Sequence, residues 1–237
     1  MFTIDLHAHT RFFHGHERAA ELFDPIGVRL LTLGARYRGL DGVALTNHDY
    51  YRQFGGLAVE TIPGIEISTT KGHILVIGPD PPTRTEPGTL IPHEVVEMAH
   101  ERGCAAIVAH PYRNSTVREV DADFDAIEVN GKHPRTEEWV TTLAERNGLP
   151  LVGGSDAHYP VEVGRAYTRV DADVLTPGSV VEAIRDGRVE PAVRRDTFDK
   201  GVRRLYRKIH EGKENLHRPK EESPGVGDPP QAEKADD

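Results

Sequence analysis

The chain has 237 residues, 37% hydrophobic and 28% charged, enough apolar material for one sizeable core. Its 29 Lys and Arg against 38 Asp and Glu give a formal charge of −9, which excludes the overall basic balance that draws proteins non-specifically to nucleic acid or anionic membrane. A single cysteine, Cys104, excludes an intrachain disulfide and a Cys-rich zinc module and fits a reducing compartment.

The opening MFTIDLHAHT lacks a basic stretch followed by an apolar one, and no run approaches the roughly 18 apolar residues of a spanning helix. The expectation is a soluble, cytoplasmic chain with no membrane partner; its oligomeric state is not legible. Strand-length apolar runs bounded by Gly, Pro, Asp or Asn follow in order: Phe2 to Leu6, Gly42 to Thr46, Ile62 to Ser68, Ile74 to Ile77, Ala105 to Ala109, Ala126 to Val129 and Leu149 to Val152. Between them lie helical patterns. Asp24 reads as an N-cap with Pro25 at the first helical position of a helix ending at Tyr37, and Pro92 to Arg102, Thr136 to Arg146 and Thr176-Pro177 to Arg185 each run up to a glycine. This alternation predicts an α/β domain with a mostly parallel sheet, closed as a barrel or open, over residues 1–210. Ala166 to Val170 and Val189 to Val193 add a peripheral ribbon.

Residues 198–210 place Phe198, Val202, Leu205 and Ile209 at helical spacing beside Arg203, Arg204, Arg207 and Lys208. They read as a terminal amphipathic helix docked on the domain with a solvated basic face, the alternative being a nucleotide- or RNA-contacting patch. From Glu211 to Asp237 the chain is Pro-, Gly- and charge-rich, a composition that cannot offset its ordering entropy, and reads as a disordered acidic tail.

Histidine is over-represented, at 13 residues where average usage is roughly 2%. His7, His9 and His14 follow the first strand, His48 the second, and Glu66 lies late in the third. His110 ends the fifth strand and Asp156 and His158 end the seventh; His73 alone sits at a strand start. Strand ends of parallel barrels converge on one face. So many imidazoles and carboxylates on one rim require a cation, and imidazole nitrogen with carboxylate oxygen suits Zn, Mn or Fe. Glu66, flanked by Ile65 and Ile67, is an acid in an apolar strand and needs a buried partner. His16, His93, His100, His133, His210 and His217 read as surface residues, with His16 close enough to His14 to support it.

The motifs IDLHAHT, GVALTNHD, PGIEIS, GHILVIG, VAHPYR and GGSDAH resemble, in order, those of the PHP superfamily, the polymerase and histidinol phosphatase metallo-hydrolases, from Phe2 to about Arg169. The resemblance implies a distorted, seven-stranded TIM-like (β/α)7 barrel binding two to three divalent ions (Mn, Zn or Fe). It implies one ion on His7, His9, Glu66 and Asp156, a second on Glu66, His73 and His110, and a third on His14, His48 and His158. Many members have Asp where this chain has His14, and the family's Asp in LTDHD is Asn47 here.

The implied activity is hydrolysis of a small phosphomonoester, of the histidinol phosphate or nucleotide type, by metal-activated hydroxide, with Glu66, Asp156 and His158 as catalytic residues. Arg113 and Arg165 are the candidate phosphate-binding residues, since guanidinium matches phosphate oxygens in pairs; Arg11 is a third. The alternatives are a PHP exonuclease or nucleotide-processing hydrolase, against which the acidic balance weighs, and a non-catalytic PHP regulatory module. An amidohydrolase would need a strand-end lysine, whereas Lys71 and Lys132 read as turn residues. The Asn114 sequon, a partial calcium loop at Asp121 to Asp125 and Cys104, read as buried and inert, carry no function.

Overall fold

A computed structural model describes residues 1–11, 17–113 and 115–195, with the backbone alone over 17–22. His14, His16, Asn114, the basic segment and the tail lie outside the described residues. In chain order come β1 (Phe2–Ala8), α1 (Glu17–Tyr37), β2 (Gly42–Leu45), β3 (Glu60–Thr69), β4 (Gly72–Ile77), α2 (Pro92–Glu101) and β5 (Ala105–Val108). Then follow β6 (Ala126–Asn130), α3 (Glu137–Asn147), β7 (Leu151–Gly154), β8 (Ala166–Val170), α4 (Pro177–Arg185) and β9 (Val189–Val193).

Strands β1 to β7 lie side by side in sequence order, and the β8–β9 ribbon extends the sheet beyond β1. After β7 the chain returns to β1: His9 N donates to Ala157 O at 2.8 Å and Ala157 N to His7 O at 3.3 Å. The seven strands therefore nearly close into a distorted barrel within an α/β fold. Glycine makes the closure sterically feasible, because a Cβ on Gly153 would lie 2.3 Å from Tyr167 O and one on Gly154 2.5 Å from the His7 Cβ.

Within the barrel, β4 runs antiparallel to both neighbours while the other adjacent pairs are parallel. The cause is local. Only Thr70 and Lys71 separate β3 from β4, too few residues for a crossover, so the chain must turn back on itself. The start of β4 thus lies on the same rim as the ends of the parallel strands, which explains why His73, at a strand start, joins residues at strand ends.

The two-residue period then grades the interior. Ile62 and Glu66 share one face of β3, Ile77, Leu75 and His73 one face of β4, and Ala126 and Glu128 one face of β6. Their apolar members form a single buried cluster with Ile4, Leu6 and Ile107 and with Val180, Val181 and Ile184 of α4. The barrel is apolar at the α4 end and polar at the other. Two outer clusters pack α2 and α3 against β3 to β6, and α1 against β1 and β2.

One boundary differs from expectation. Helix α1 begins at Glu17, with Pro25 inside it. Asp24 caps nothing here; it is buried, and its Oδ2 accepts a hydrogen bond from the Tyr50 hydroxyl at 2.8 Å. The backbone bond that Pro25 forgoes is offset by burial of Val28, Leu31 and Ala35 on the inner face. Among the described residues, no helix is long and apolar enough to cross a membrane.

Candidate metal centre

Eight of the nine expected ligands lie within the described residues and converge on the polar rim. His7 closes β1, His9 follows it, and His48 follows β2 and bridges to Glu66 of β3. His73 opens β4, His110 follows β5, and Asp156 and His158 follow β7. Two of these residues have left-handed backbones, His110 (φ 29°) and Asp156 (φ 51°), as does Asp49 (φ 57°) beside His48. Non-glycine residues held there cost of order 1–3 kcal/mol each, a strain that concentrates at functional sites. The Asp49 carboxylate secures its loop by accepting from Ser68 N at 3.0 Å, Ser68 Oγ at 2.7 Å and Thr85 Oγ1 at 3.0 Å.

Glu66, 0% exposed, is the hub. Its Oε2 lies 3.2 Å from His7 Nε2, 3.3 Å from His9 Nε2 and 3.0 Å from His48 Nδ1. Its Oε1 lies 2.8 Å from His73 Nδ1 and 3.0 Å from His110 Nε2. Asp156 Oδ1 lies 3.4 Å from His9 Nε2, 3.9 Å from His7 Nε2 and 3.2 Å from His158 Nδ1. His9 also stacks on His48, ring centroids 4.5 Å apart, and lies 4.3 Å from the His158 ring.

Electrostatics make this a set of donors. Burial alone would raise the Glu66 carboxyl, yet His48, His7 and His73 hold it well below the usual carboxylate range. Burial likewise opposes ionisation of Asp156, which Lys132, His158 and His9 pull well below the usual range. Desolvation lowers His9 well below the ordinary imidazole value and His48 to about 4. The result is ionised oxygen beside neutral nitrogen, the protonation state a metal requires. His7 and His73 are the exceptions: burial lowers both, but Glu128 and Glu66 together draw His7 well above the ordinary value and Glu66 raises His73, so a cation at either would displace a proton.

The residues fit a metal. Buried Glu66 Oε2 has no hydrogen-bond partner although three imidazole nitrogens surround it, a costly arrangement unless a cation sits among them. Donors held about 2.1 Å from a shared small ion stand roughly 3–3.4 Å apart. The Glu66, His7 and His9 donors are separated by 3.2 to 3.3 Å, and those of Glu66, His73 and His110 by 2.8 to 3.3 Å. Three overlapping groups could each hold an ion: His7, His9 and Asp156; His48, Glu66 and His73; and His9, His48 and His158.

Arg113 and Arg165 part company. Arg113 reaches the rim, its Nη1 2.8 Å from Asp156 Oδ2, with the side chain 41% exposed. Arg165, the other candidate, is 1% exposed and its Nη1 donates to Glu162 Oε1 at 3.0 Å. Glu162 Oε2 in turn accepts from His158 N at 2.9 Å and Tyr159 N at 3.2 Å. Arg165 thus supports the loop that carries His158. Arg11 stacks over the Tyr50 ring at 4.8 Å.

Sequence reasoning missed three residues. Lys132, read as a turn residue, projects into the centre: Nζ lies 3.0 Å from Asp156 Oδ1 and 2.7 Å from His158 Nδ1, with the side chain 6% exposed. Buried Glu128 accepts from His7 Nδ1 at 2.7 Å through Oε1, and from His110 N at 2.8 Å and Asn130 Nδ2 at 3.1 Å through Oε2. Its signal was present, since it is an acid alternating within apolar β6 just as Glu66 is within β3. His133, read as a surface residue, is pushed down to about 4 by burial and Arg113, with His110 and Lys132 adding to the effect. Asn47 clamps the end of β1 instead, its Oδ1 accepting from Thr10 N at 2.8 Å.

Comparison with known proteins bears on the fold. The PHP_C family, described as PHP-associated, matches residues 140–189, a stretch holding Asp156 and His158. PsfC from Pseudomonas syringae PB-5123 superposes with a TM-score of 0.64 at 19% identity, over 88% of this chain and 98% of that one. A two-domain protein from Bacteroides vulgatus ATCC 8482, containing a predicted PHP-like metal-dependent phosphoesterase, gives a TM-score of 0.55 at 20% identity, over 81% of this chain and 65% of its own. The chain shares the fold of these two structures. Endonuclease Q, in complex with a 27-mer duplex substrate with an abasic lesion at the active site, superposes with a TM-score of 0.56 at 17% identity, over 78% of this chain and 56% of its own. No curated protein matches the sequence.

Proposed function

We propose that this chain is a metal-dependent phosphoesterase of the PHP type, acting on small phosphomonoesters of the histidinol phosphate or nucleotide type. The observation that carries the reading is Glu66, whose two oxygens face separate sets of imidazoles. In this reading one ion is held by His7, His9, Glu66 and Asp156, and a second by Glu66, His73 and His110. His48 and His158, with His14, hold a third. When bound, these divalent ions (Mn, Zn or Fe) supply Lewis acidity toward a water and toward phosphoryl oxygens.

The protein's own residues do the rest. Glu66 keeps the two donor sets in fixed separation, and Asp156 and His158 orient the reacting groups at the open rim. Arg113, half in solvent and tethered to Asp156, binds the incoming phosphate oxygens, and Lys132 adds a second fixed positive charge beside them. Lys132 does not replace a bridging carbamylated lysine of the amidohydrolase kind, because the bridging place belongs to Glu66.

Endonuclease Q's duplex substrate motivates a second reading, a nucleic-acid phosphodiesterase. The chain's −9 formal charge favours the small substrate. Elemental analysis run beside phosphate release from a monoester panel, an abasic duplex and a plain oligonucleotide separates the readings. Two or more equivalents of metal with chelator-sensitive monoester turnover are expected. Cleavage of the duplex alone would transfer the assignment to the second reading, and bound metal with no turnover on any substrate would leave a non-catalytic module.

A further inference from the structure

Lys132 is delivered to the centre by the turn that leaves β6. Gly131 N donates to Gly154 O at 2.8 Å and Lys132 N to Asn130 Oδ1 at 2.9 Å, which holds the turn against the end of β7. A Cβ on Gly131 would stand 2.9 Å from Ala166 N and 3.1 Å from Ser155 Cα, so the approach depends on glycine. The lysine that follows is thereby set against Asp156 and His158, just beyond β7, with its side chain buried.

Nζ lies 3.0 Å from Asp156 Oδ1 and 2.7 Å from His158 Nδ1, and those two atoms lie 3.2 Å apart. That separation falls within the roughly 3–3.4 Å of donors sharing a small ion, so the ammonium fills a place suited to a cation. The two acceptors differ in capacity. A carboxylate oxygen has two lone pairs and can serve a metal and an ammonium together, whereas an imidazole nitrogen has one. An ammonium only donates, so His158 Nδ1 accepts from Lys132 and the neutral ring carries its hydrogen on Nε2. In that state neither nitrogen of His158 has a lone pair for a metal. A second state is built into the same loop, because His158 Nδ1 also lies 3.0 Å from Asp156 O, which can only accept. With Lys132 withdrawn, Nδ1–H donates to that carbonyl and Nε2 presents its lone pair, the arrangement by which backbone carbonyls orient metal-binding histidines.

We propose that Lys132 controls the third metal site: its ammonium closes His158 to metal, so the centre keeps two ions firmly and takes a third only where Lys132 is displaced. This rests on the three-site reading of the centre, in which Asp156 serves the first site with His7 and His9, while His158 serves the third with His48. The first site keeps its donors while Lys132 stays, because Asp156 can serve both cations. The second draws on Glu66, His73 and His110 instead. The number of ions held, two or three, then follows the free metal concentration.

Two measurements on the full chain test this, one of them without metal. In the chelated protein, nitrogen NMR of the imidazole rings is expected to find the His158 hydrogen on Nε2, and on Nδ1 in Lys132→Met. Hydrogen on Nδ1 in the native protein would overturn the proposal, whatever the metal content and whether or not the variant folds. In a graded chelator at fixed pH, elemental analysis is expected to show the third equivalent leaving the native chain at a free metal concentration about tenfold or more above that for Lys132→Met, since the variant has no charged hydrogen bond to displace. Arg113→Ala, which removes a cation from the other oxygen of Asp156, is expected to leave the third equivalent as exchangeable as in the native chain. A third equivalent absent from Lys132→Met, held equally by the native chain, or tightened as much by Arg113→Ala would overturn the proposal. The expected tautomers and metal counts with no phosphate released from any substrate would support it while refuting the phosphoesterase reading alone. Absence of metal from both native and variant protein would overturn both.

Discussion

Replacing Glu128 with glutamine changes no shape and removes one charge, yet the hydrogen bonds around it make the outcome predictable. Oε2 accepts from two donors, His110 N at 2.8 Å and Asn130 Nδ2 at 3.1 Å, while Oε1 accepts from one, His7 Nδ1 at 2.7 Å. Glutamine has a single oxygen. Turning its amide nitrogen toward two donors costs more than turning it toward one, so the nitrogen faces His7. His7 must then accept at Nδ1 and carry its proton on Nε2, the nitrogen 3.2 Å from Glu66 Oε2 where a metal lone pair is needed. Losing such a histidine-orienting carboxylate typically costs 10–100-fold in metal affinity, about 1.4–2.7 kcal/mol. Competition against a graded chelator at fixed pH reads this directly for the chain and for Glu128→Gln, with a thermal melt of the chelated proteins as the control for folding. Unchanged affinity for every equivalent of metal in a folded Glu128→Gln protein would refute the tautomer argument.

Glu66→Gln disturbs both donor sets together, so bound metal is expected to fall by at least one equivalent by elemental analysis, with turnover lost. Full metal content and activity would sink the bridging role. Arg113→Ala is expected to raise KM for a phosphomonoester while leaving metal content intact, a split that steady-state kinetics beside elemental analysis would detect. Arg165→Ala strands buried Glu162 and is expected to cost about 3–5 kcal/mol, a fall in Tm of roughly 6–20 °C for a domain of this size, measured by calorimetry on the chelated protein. A variant with native Tm would refute the structural role and favour phosphate binding by Arg165. For pH, His133 is held at about 4 in the folded chain, below the ordinary 6.5, by burial and by Arg113. The unfolded chain therefore binds the extra proton first, and stability present above pH 6.5 is lost as pH falls toward 4. Denaturant midpoints of the chelated protein should drop over that window, and less steeply in His133→Gln; identical slopes would exclude the histidine as a contributor.

What could be read from the sequence, and what could not, divides along the range of the interactions. Strand positions followed from short apolar runs, and the joint placement of His7, His9, His48, His110, Asp156 and His158 at strand ends pointed to one rim, because the fold converges those ends. Glu66 stood out since an acid between two isoleucines in a strand has no cheap explanation. Glu128 offered the same signal in β6, though its partners, His7 and the His110 amide, come from strands far away in the chain. His73 looked misplaced in a mostly parallel sheet, although the five residues between the expected strands ending at Ser68 and starting at Ile74 are too few for a crossover and imply a reversal. Arg165 and Lys132 were illegible in the sequence. Each sits in a loop, and whether a loop side chain folds onto the rim or under it depends on which distant carboxylate waits there: Glu162 for the one, Asp156 for the other.

Charge favours the proposed dianionic substrate. Glu66, Asp156 and Glu128 stand against Lys132 and Arg113, so with every imidazole neutral, as metal binding requires, the donor set carries one net negative charge. That balance attracts divalent cations, and two of them reverse the sign to three positive charges. A phosphomonoester, with a second pKa near 6 and about −2 charge at neutrality, gains more from that field than a singly charged diester. Phosphate release at subsaturating substrate should therefore rise as pH passes through about 6, and a sulfate monoester of the same alcohol, singly charged throughout, should bind more weakly and show no such rise. Competitive inhibition constants measured at pH 5.5 and 7.5 for a non-hydrolysable phosphonate and a sulfonate of matched size test this without turnover. Equal pH dependence for the two would mean that the rim does not select charge, and would weaken the roles given to Arg113 and Lys132.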